Sequence, residues 1–331
     1  MSNARIQQAL GVAGLCLLLG WGWYCVSRSW WAGLLLLLPA AVPQAPVLAL
    51  ELVWAALAAR RDAARRPLGA LPGTPEHAPE PFPPPRTWLW AWVQEVMVSL
   101  QTFGWRQPWA HDRWPDFIPH DARGRRAVLL VHGFVCNRGF WNPWMKRLRL
   151  AGVPYGAVSM EPPFGDIAAQ AQAIQAAWRE LTQATGVPPV LVGHSMGGLA
   201  IRAWLSTLPE DIALTHEVIT IGSPHHGTAL AAMARSEAAL QMQVLSPFLR
   251  DLAASESPAR RARFTCYWSV CDNIVFPANT ATLPGARSVA LGGRAHVALA
   301  HDPAVLADVL GRTQGARRAI TSKPAAPSSP L

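Results

Sequence analysis

From Arg125 onward, apolar residues fall into short unbroken runs, separated by stretches in which they recur every three or four positions. The runs at 126–134 (RAVLLVHGF), 153–161, 188–193, 216–224, 264–272 and 286–291 predict strands. Between them, residues 166–186 place Ile167, Ala171, Ile174, Ala177, Trp178 and Leu181 on one stripe and stop at Gly186, which predicts a helix. Residues 196–208 predict another. Strands alternating with helices imply an α/β fold: a mostly parallel, doubly wound sheet covered on both faces, with right-handed crossovers. The only sizeable insertion, 228–263, reads as two short helices with leucine and methionine faces. A helical cap over a pocket is its natural role, with plain crossover packing as the alternative.

The first sixty residues follow a different pattern. Residues 9–26 form an uncharged apolar run, long enough for a hydrocarbon core of about 30 Å. A cleaved signal peptide is the alternative, but the run is long for one and no A-x-A site follows. A second apolar stretch, about 31–58, opens on tryptophan and contains Pro39, Pro43, Pro46 and Glu51. It predicts one distorted span with an interfacial extension, so that 1–60 forms a transmembrane hairpin. Two buried core helices would give the same pattern in a soluble chain. Residues 61–86 read as a basic, proline-rich linker. Within 87–122, Trp88, Trp92, Val96 and Leu100 follow a spacing of four. They predict an amphipathic helix whose tryptophan face lies on the membrane surface or packs on the next domain. The α/β domain is expected over 123–315 and a disordered tail over 316–331.

Charge refines this picture. The formal net charge is +9, but much of the excess sits in 59–67 and 122–126, beside the apolar and linker segments. No basic stripe with interleaved aromatics marks a nucleic-acid surface, so no nucleic-acid partner is expected. Arg60, Arg61, Arg65 and Arg66 follow the second apolar stretch, and the positive-inside tendency puts them in the cytoplasm. A hairpin then leaves the N-terminus and the α/β domain on that same side of a bacterial inner membrane. The five cysteines contain no C-x-x-C pair, so neither a disulfide framework nor a zinc site is predicted, and a reducing compartment is favoured.

The chemistry centres on "VGHSMGGL", where a predicted buried strand runs into a helix. A tight turn at that junction strains Ser195 and lifts its Oγ above the sheet edge. Gly193 and Gly197 remove side chains that would collide in the turn, His194 is fixed within it pointing away, and Gly198 allows close helix–sheet packing. Helix N-terminal charge favours an anion there. A serine hydroxyl needs a base to become a nucleophile. His296, in a glycine-rich loop after the last strand, is the candidate, with His301 as rival. Asp272, just past a strand end, is the candidate to orient it, with Asp251 and Asp302 as rivals. Backbone N–H groups of Met196 and of Phe134, after the His132–Gly133 turn, are positioned to bind an oxyanion.

On the motifs "VLLVHGF", "VGHSMGGL", "IGSPHHGT", "CDNIV" and "RAHVAL", the chain from about 125 to 312 resembles an α/β-hydrolase of the bacterial lipase/esterase type. The resemblance implies a Ser195–Asp272–His296 triad, an oxyanion hole at Phe134 and Met196, and structural roles for His225 and His226 in shaping the pocket floor and the start of the cap. It implies no metal and no cofactor. The function expected is a membrane-anchored serine ester hydrolase working through an acyl-enzyme on Ser195, with an acyl-ester or lipid substrate and the bilayer as partners. An acyltransferase or thioesterase with the same residues is the enzymatic alternative, and a catalytically silent membrane scaffold is the other. The oligomeric state is left open.

Overall fold

Six parallel strands lie side by side in the order β2-β1-β3-β4-β5-β6. They are β1 Val128–Val131, β2 Tyr155–Ala157, β3 Val190–His194, β4 Val218–Ile221, β5 Phe264–Trp268 and β6 Arg287–Ala290. The computed structural model describes residues 2–28, 44–65 and 82–321. Every expected strand is present, most of them trimmed at their ends, with β3 running one residue further, to His194. Alternation divides the core: Leu129, Val131 and Leu191 join one buried cluster, while Val128, Leu130, Val190 and Val192 join the cluster on the opposite face. A sheet covered on both faces needs apolar residues at every position, which is why its strands read as unbroken runs.

The helices, in chain order, are α1 Asn3–Arg28, α2 Gln44–Arg65, α3 Pro85–Gln101, α4 Asn142–Leu150, α5 Ile167–Thr185, α6 Met196–Ser206, α7 Glu210–Ala213, α8 Glu237–Gln241, α9 Pro247–Ser255, α10 Pro258–Arg261, α11 His296–Ala300 and α12 Pro303–Thr321. Helix α5 begins as its sequence demands, with Asp166 accepting from the Ala168 N–H at 2.9 Å, and ends on Gly186 in the left-handed region (φ 76°). The stripe Ile167, Ala171, Ile174 and Leu181 is buried against the sheet.

The insertion carries three short helices (α8, α9, α10) and a 3-10 turn, rather than the two helices expected. Ser236, Ser246 and Ser257 each cap one of them, so the polar spacers that looked like loop are helix starts. Its inner side buries Ala238, Met242 and Leu249, and its outer side leaves Met233 and Leu245 in the open. A buried ion pair fastens the insertion to the core. Arg202 on α6 donates to Glu256 from Nε at 2.7 Å and from Nη2 at 2.8 Å, and its Nη1 donates to the His225 carbonyl. Both charged side chains are almost fully enclosed, so losing either would strand an uncompensated charge at a cost of about 3–5 kcal/mol.

The N-terminal region departs most from expectation. Among the described residues, one helix, α1, is long and apolar enough to cross a membrane, and 6% of its apolar window is buried. A signal sequence has the same composition. Residues 29–43 of the second expected span lie outside the described residues, and the remainder belongs to α2, which docks on the α/β domain. Leu52 and Ala55 are buried there, Trp54 packs edge-on against Phe276, and Glu51 meets Asn273. The arginines through Arg65 continue this helix instead of opening the linker, and residues 66–81 of that linker lie outside the described residues. The expected tail begins inside α12, and 322–331 also lie outside them.

Helix α3 settles which of its faces packs inward. Trp88 and Trp92 are partly buried against Leu52, Ala91, Cys271 and Ala295, and the Trp92 indole N–H donates to the Ala45 carbonyl. The exposed side is a different one: Leu89, Trp90 and Met97, continued past the helix end by Phe103, Trp105 and Trp109. A helix with tryptophans on several faces does not announce from periodicity which face is wet.

Candidate active site

Strand β3 hands the chain to α6 through Ser195, whose backbone stands at φ 55°, ψ −128°. Serine rarely adopts a positive φ, and the strain persists because the surroundings leave no alternative. A Cβ on Gly197 would come within 2.4 Å of the Val131 carbonyl oxygen, and one on Gly193 within 2.7 Å of the Gly198 nitrogen. The two glycines flanking the turn are therefore steric requirements. The Ser195 N–H is held by the Ile221 carbonyl of β4 at 2.9 Å. Met196 is the first helical residue, so its N–H has no partner within the helix.

Asp272 follows β5 and His296 follows β6, on the same C-terminal sheet edge as Ser195. Open parallel sheets collect ligands along that edge. His296 Nδ1 lies 3.0 and 2.9 Å from the two Asp272 carboxylate oxygens. A carboxylate only accepts, so Nδ1 carries the proton and Nε2 is left as the basic nitrogen. Asp272 is itself fixed by the N–H groups of Ile274 and Val275, at 2.9 and 2.8 Å. A Cβ on Gly222 would fall 2.9 Å from the Asp272 carboxylate and 3.2 Å from His296 Nδ1, so only glycine leaves room for the pair. Burial opposes ionisation of His296, but the charge and hydrogen bond of Asp272 outweigh it and raise the imidazole above its usual value.

The rivals fall away on geometry. His301 caps the end of α11 with neither ring nitrogen hydrogen-bonded, stacks on Phe140 at 5.3 Å, and is pushed down to about 3 by burial. Asp302 pairs with Arg294 at 2.8 Å, and Asp251 is exposed on α9. His194 packs beside the base, its ring centroid 4.6 Å from that of His296. Its ring stacks on Phe140 at 4.5 Å, reaches the His296 carbonyl through Nε2 at 3.2 Å, and is held neutral by burial and by the neighbouring His296. His225 bonds Thr220 through Nε2, and its pKa is driven well down by burial, in keeping with a structural role.

The loop carrying Phe134 is unusually constrained. His132 Nε2 accepts from the Met160 N–H at 2.9 Å, which leaves Nδ1–H to donate to the Gly133 carbonyl at 2.8 Å. Val135 is left-handed at φ 56°, a strained state for a β-branched residue. The foot of α1 clasps this turn: Gln7 donates to the Val135 carbonyl at 3.0 Å, and Asn3 donates to the Cys136 carbonyl at 2.5 Å. The Phe134 ring meets Phe164 edge-on at 5.6 Å.

Three polar residues near His296 have no place in the site expected from sequence: Glu95 on α3, Glu51 on α2, and Asn273 beside Asp272. Glu95 accepts from the Val297 and Ala298 N–H groups, and Asn273 accepts from the His296 N–H. The one visible signal was a charged residue inside an otherwise apolar run, at Glu51 and again at Glu95. No group of histidine, cysteine and carboxylate side chains among the described residues could hold a metal ion.

The model of the alpha/beta hydrolase family matches residues 128–327. The chain belongs to the α/β-hydrolase family. Solved structures similar to this α/β-hydrolase include the mature form of Bacillus licheniformis lipase BlEst2, at 19% identity and TM-score 0.51, over 60% of this chain and 96% of that one. Aspergillus fumigatus lipase B is similar at 18% identity and TM-score 0.50, over 58% of this chain and 54% of its own. At such identities the likeness is one of fold. No curated protein sequence matches the chain. The family match starts at β1 and so excludes α1, α2 and α3, which carry Glu51 and Glu95.

Proposed function

We propose that this α/β-hydrolase is a serine ester hydrolase acting on acyl esters through an acyl-enzyme on Ser195. The observation that carries the reading is the Asp272–His296 pair, on the same sheet edge as a serine held at a left-handed strand-to-helix turn. His296 Nε2 takes the Ser195 proton as Oγ attacks the ester carbonyl. The oxyanion that forms is bound by the N–H groups of Met196 and Phe134. The intermediate collapses, and His296 returns its proton to the leaving alcohol. Water, deprotonated by the same histidine, then attacks the acyl carbonyl, and His296 returns that proton to Ser195 Oγ as the acid leaves. Asp272 keeps the proton on Nδ1 and stabilises the imidazolium without itself being protonated. The family membership and the fold shared with lipases support an ester substrate. A fluorophosphonate probe tests the reading, because it labels an activated serine: the modified peptide is expected to contain Ser195, and labelling elsewhere, or none, would overturn it.

The same proposal places the enzyme at a membrane. The support is α1, almost wholly uncovered along its apolar length, together with the exposed row Leu89, Trp90, Met97, Phe103, Trp105 and Trp109. Large apolar and aromatic side chains left bare on one side of a helix suit the headgroup region of a bilayer. On this reading α1 is a retained anchor and not a leader, since its first two turns are bonded to Cys136, Val135 and Pro108. Introducing Trp90→Glu and Trp105→Glu together is expected to slow hydrolysis of vesicle-embedded esters by about tenfold or more. Hydrolysis of a soluble short-chain ester should stay unchanged. Equal losses on both substrates would remove the membrane role from this face.

A further inference from the structure

The segment bearing His296 is gripped from outside the family core. Helix α11 starts at His296, and its N-cap residue, Ala295, offers no side chain to the first N–H groups of the helix. Such groups need acceptors when buried. They find them on side chains brought by other elements. The Val297 N–H donates to both Glu95 oxygens, at 2.9 and 3.1 Å, and the Ala298 N–H donates to Glu95 Oε2 at 2.9 Å. The His296 N–H donates to Asn273 Oδ1 at 3.1 Å, and Asn273 Nδ2 donates to Glu51 Oε2 at 2.7 Å. Three successive backbone groups at the histidine thus end on Glu95 directly or on Glu51 through Asn273.

We propose that Glu95, seconded by Glu51 through Asn273, is a positioning residue for His296: two carboxylates from the N-terminal helices fix the histidine backbone and supply negative charge behind its ring. This rests on the reading of His296 as the general base. The ring gains a proton each time Ser195 attacks or water is activated, so a buried negative charge nearby favours the charged form. Glu95 is 1% exposed, and burial pushes its carboxyl up to about 7, against the hydrogen bonds from Val297 and Ala298. Burial raises Glu51 likewise. The other titratable and charged groups facing this cluster are accounted for. Asp272 is bonded to the ring. His194 and His301 are neutral through burial. Arg294 is engaged by Asp302 and Gln94, and Arg106 acts on His301. Glu95 and His296 therefore titrate as a coupled pair.

The sign of the test follows. Both carboxylates raise the His296 pKa, so neutralising one lowers it, and the acid limb of kcat/KM moves to lower pH. The full chain in detergent micelles is measured two ways: the His296 ring pKa by NMR of labelled histidine, and kcat/KM against pH on p-nitrophenyl butyrate. Glu95→Gln keeps the shape and removes the charge. It should lower both the ring pKa and the acid limb by about 0.5–1 pH unit and reduce plateau kcat roughly tenfold, with KM little changed. Glu95→Asp restores the charge and should return the limb toward its original position. Glu51→Gln should give a smaller shift in the same direction, and it decides the matter if Glu95→Gln does not fold. An unchanged His296 pKa in the folded Gln variants would overturn the proposal. A wild-type chain that neither hydrolyses the ester nor takes the fluorophosphonate would overturn the ester-hydrolase reading instead, while the NMR titration still reads the effect of the two carboxylates on His296.

Discussion

Replacing Ser195 with alanine is expected to lower ester turnover by roughly four to six orders of magnitude and to abolish fluorophosphonate labelling. The loss is large because nothing else at the site can form the acyl-enzyme, and the residual rate comes only from oxyanion binding and substrate positioning. The fold should survive. Ser195 is held through its backbone, by the Ile221 carbonyl and by the glycines around it. An alanine at φ 55° is no easier than a serine, so a modest fall in Tm is the most the change should produce. The matching His296→Ala variant should lose activity nearly as fully, whereas His301→Ala should not, since His301 reaches neither Ser195 nor a carboxylate. Near-normal turnover in Ser195→Ala would remove the serine from the chemistry altogether.

The second large effect is expected from truncation. Reading the chain as an α/β domain on an extended, proline-rich linker predicts that residues 120–315 would work alone on soluble esters. The structure predicts the reverse. Cutting before residue 120 removes Glu95 from three hydrogen bonds at α11 and Glu51 from Asn273, and it uncovers Cys271 and Ala295, which pack with Leu52 and Ala91. Displacing a general base by about 1 Å is enough to cost on the order of 100-fold. The truncated protein is therefore expected to lose at least about 100-fold in kcat on p-nitrophenyl butyrate, and to unfold earlier on heating. Full short-chain activity in the fragment would mean that the N-terminal helices merely rest on the domain.

The strands and the site loops were legible for a common reason. A parallel sheet wrapped in helices buries both faces, so β1 is apolar at every position and β3 and β4 at most of theirs, and the glycines around Ser195 had to lack side chains. Those constraints are local in sequence. The orientation of α3 is not local. It is apolar on most sides, and the strip that packs inward is Ala91, Glu95 and Ser99, where the small Ala91 and Ser99 flank Glu95 and let its carboxylate reach α11. The tryptophans that drew attention, Trp88 and Trp92, flank that strip, and the bare ones lie elsewhere. Helix α2 posed the same problem: its apolar residues suit a bilayer or a protein surface equally well, and Glu51 acquires meaning only opposite Asn273.

The clasp between the foot of α1 and the turn at Val135 has a topological corollary. Asn3 and Gln7 touch the hydrolase domain at one end of α1, and α2, the next described helix along the chain, touches it again through Glu51 and Trp54. Both contacts are with one body, which cannot stand on two sides of a bilayer. If α1 crosses, the number of crossings between Asn3 and the hydrolase is even. Parity therefore ties the two ends: whichever aqueous compartment receives the first residues also receives the ester chemistry, and a single reporter at either place locates both.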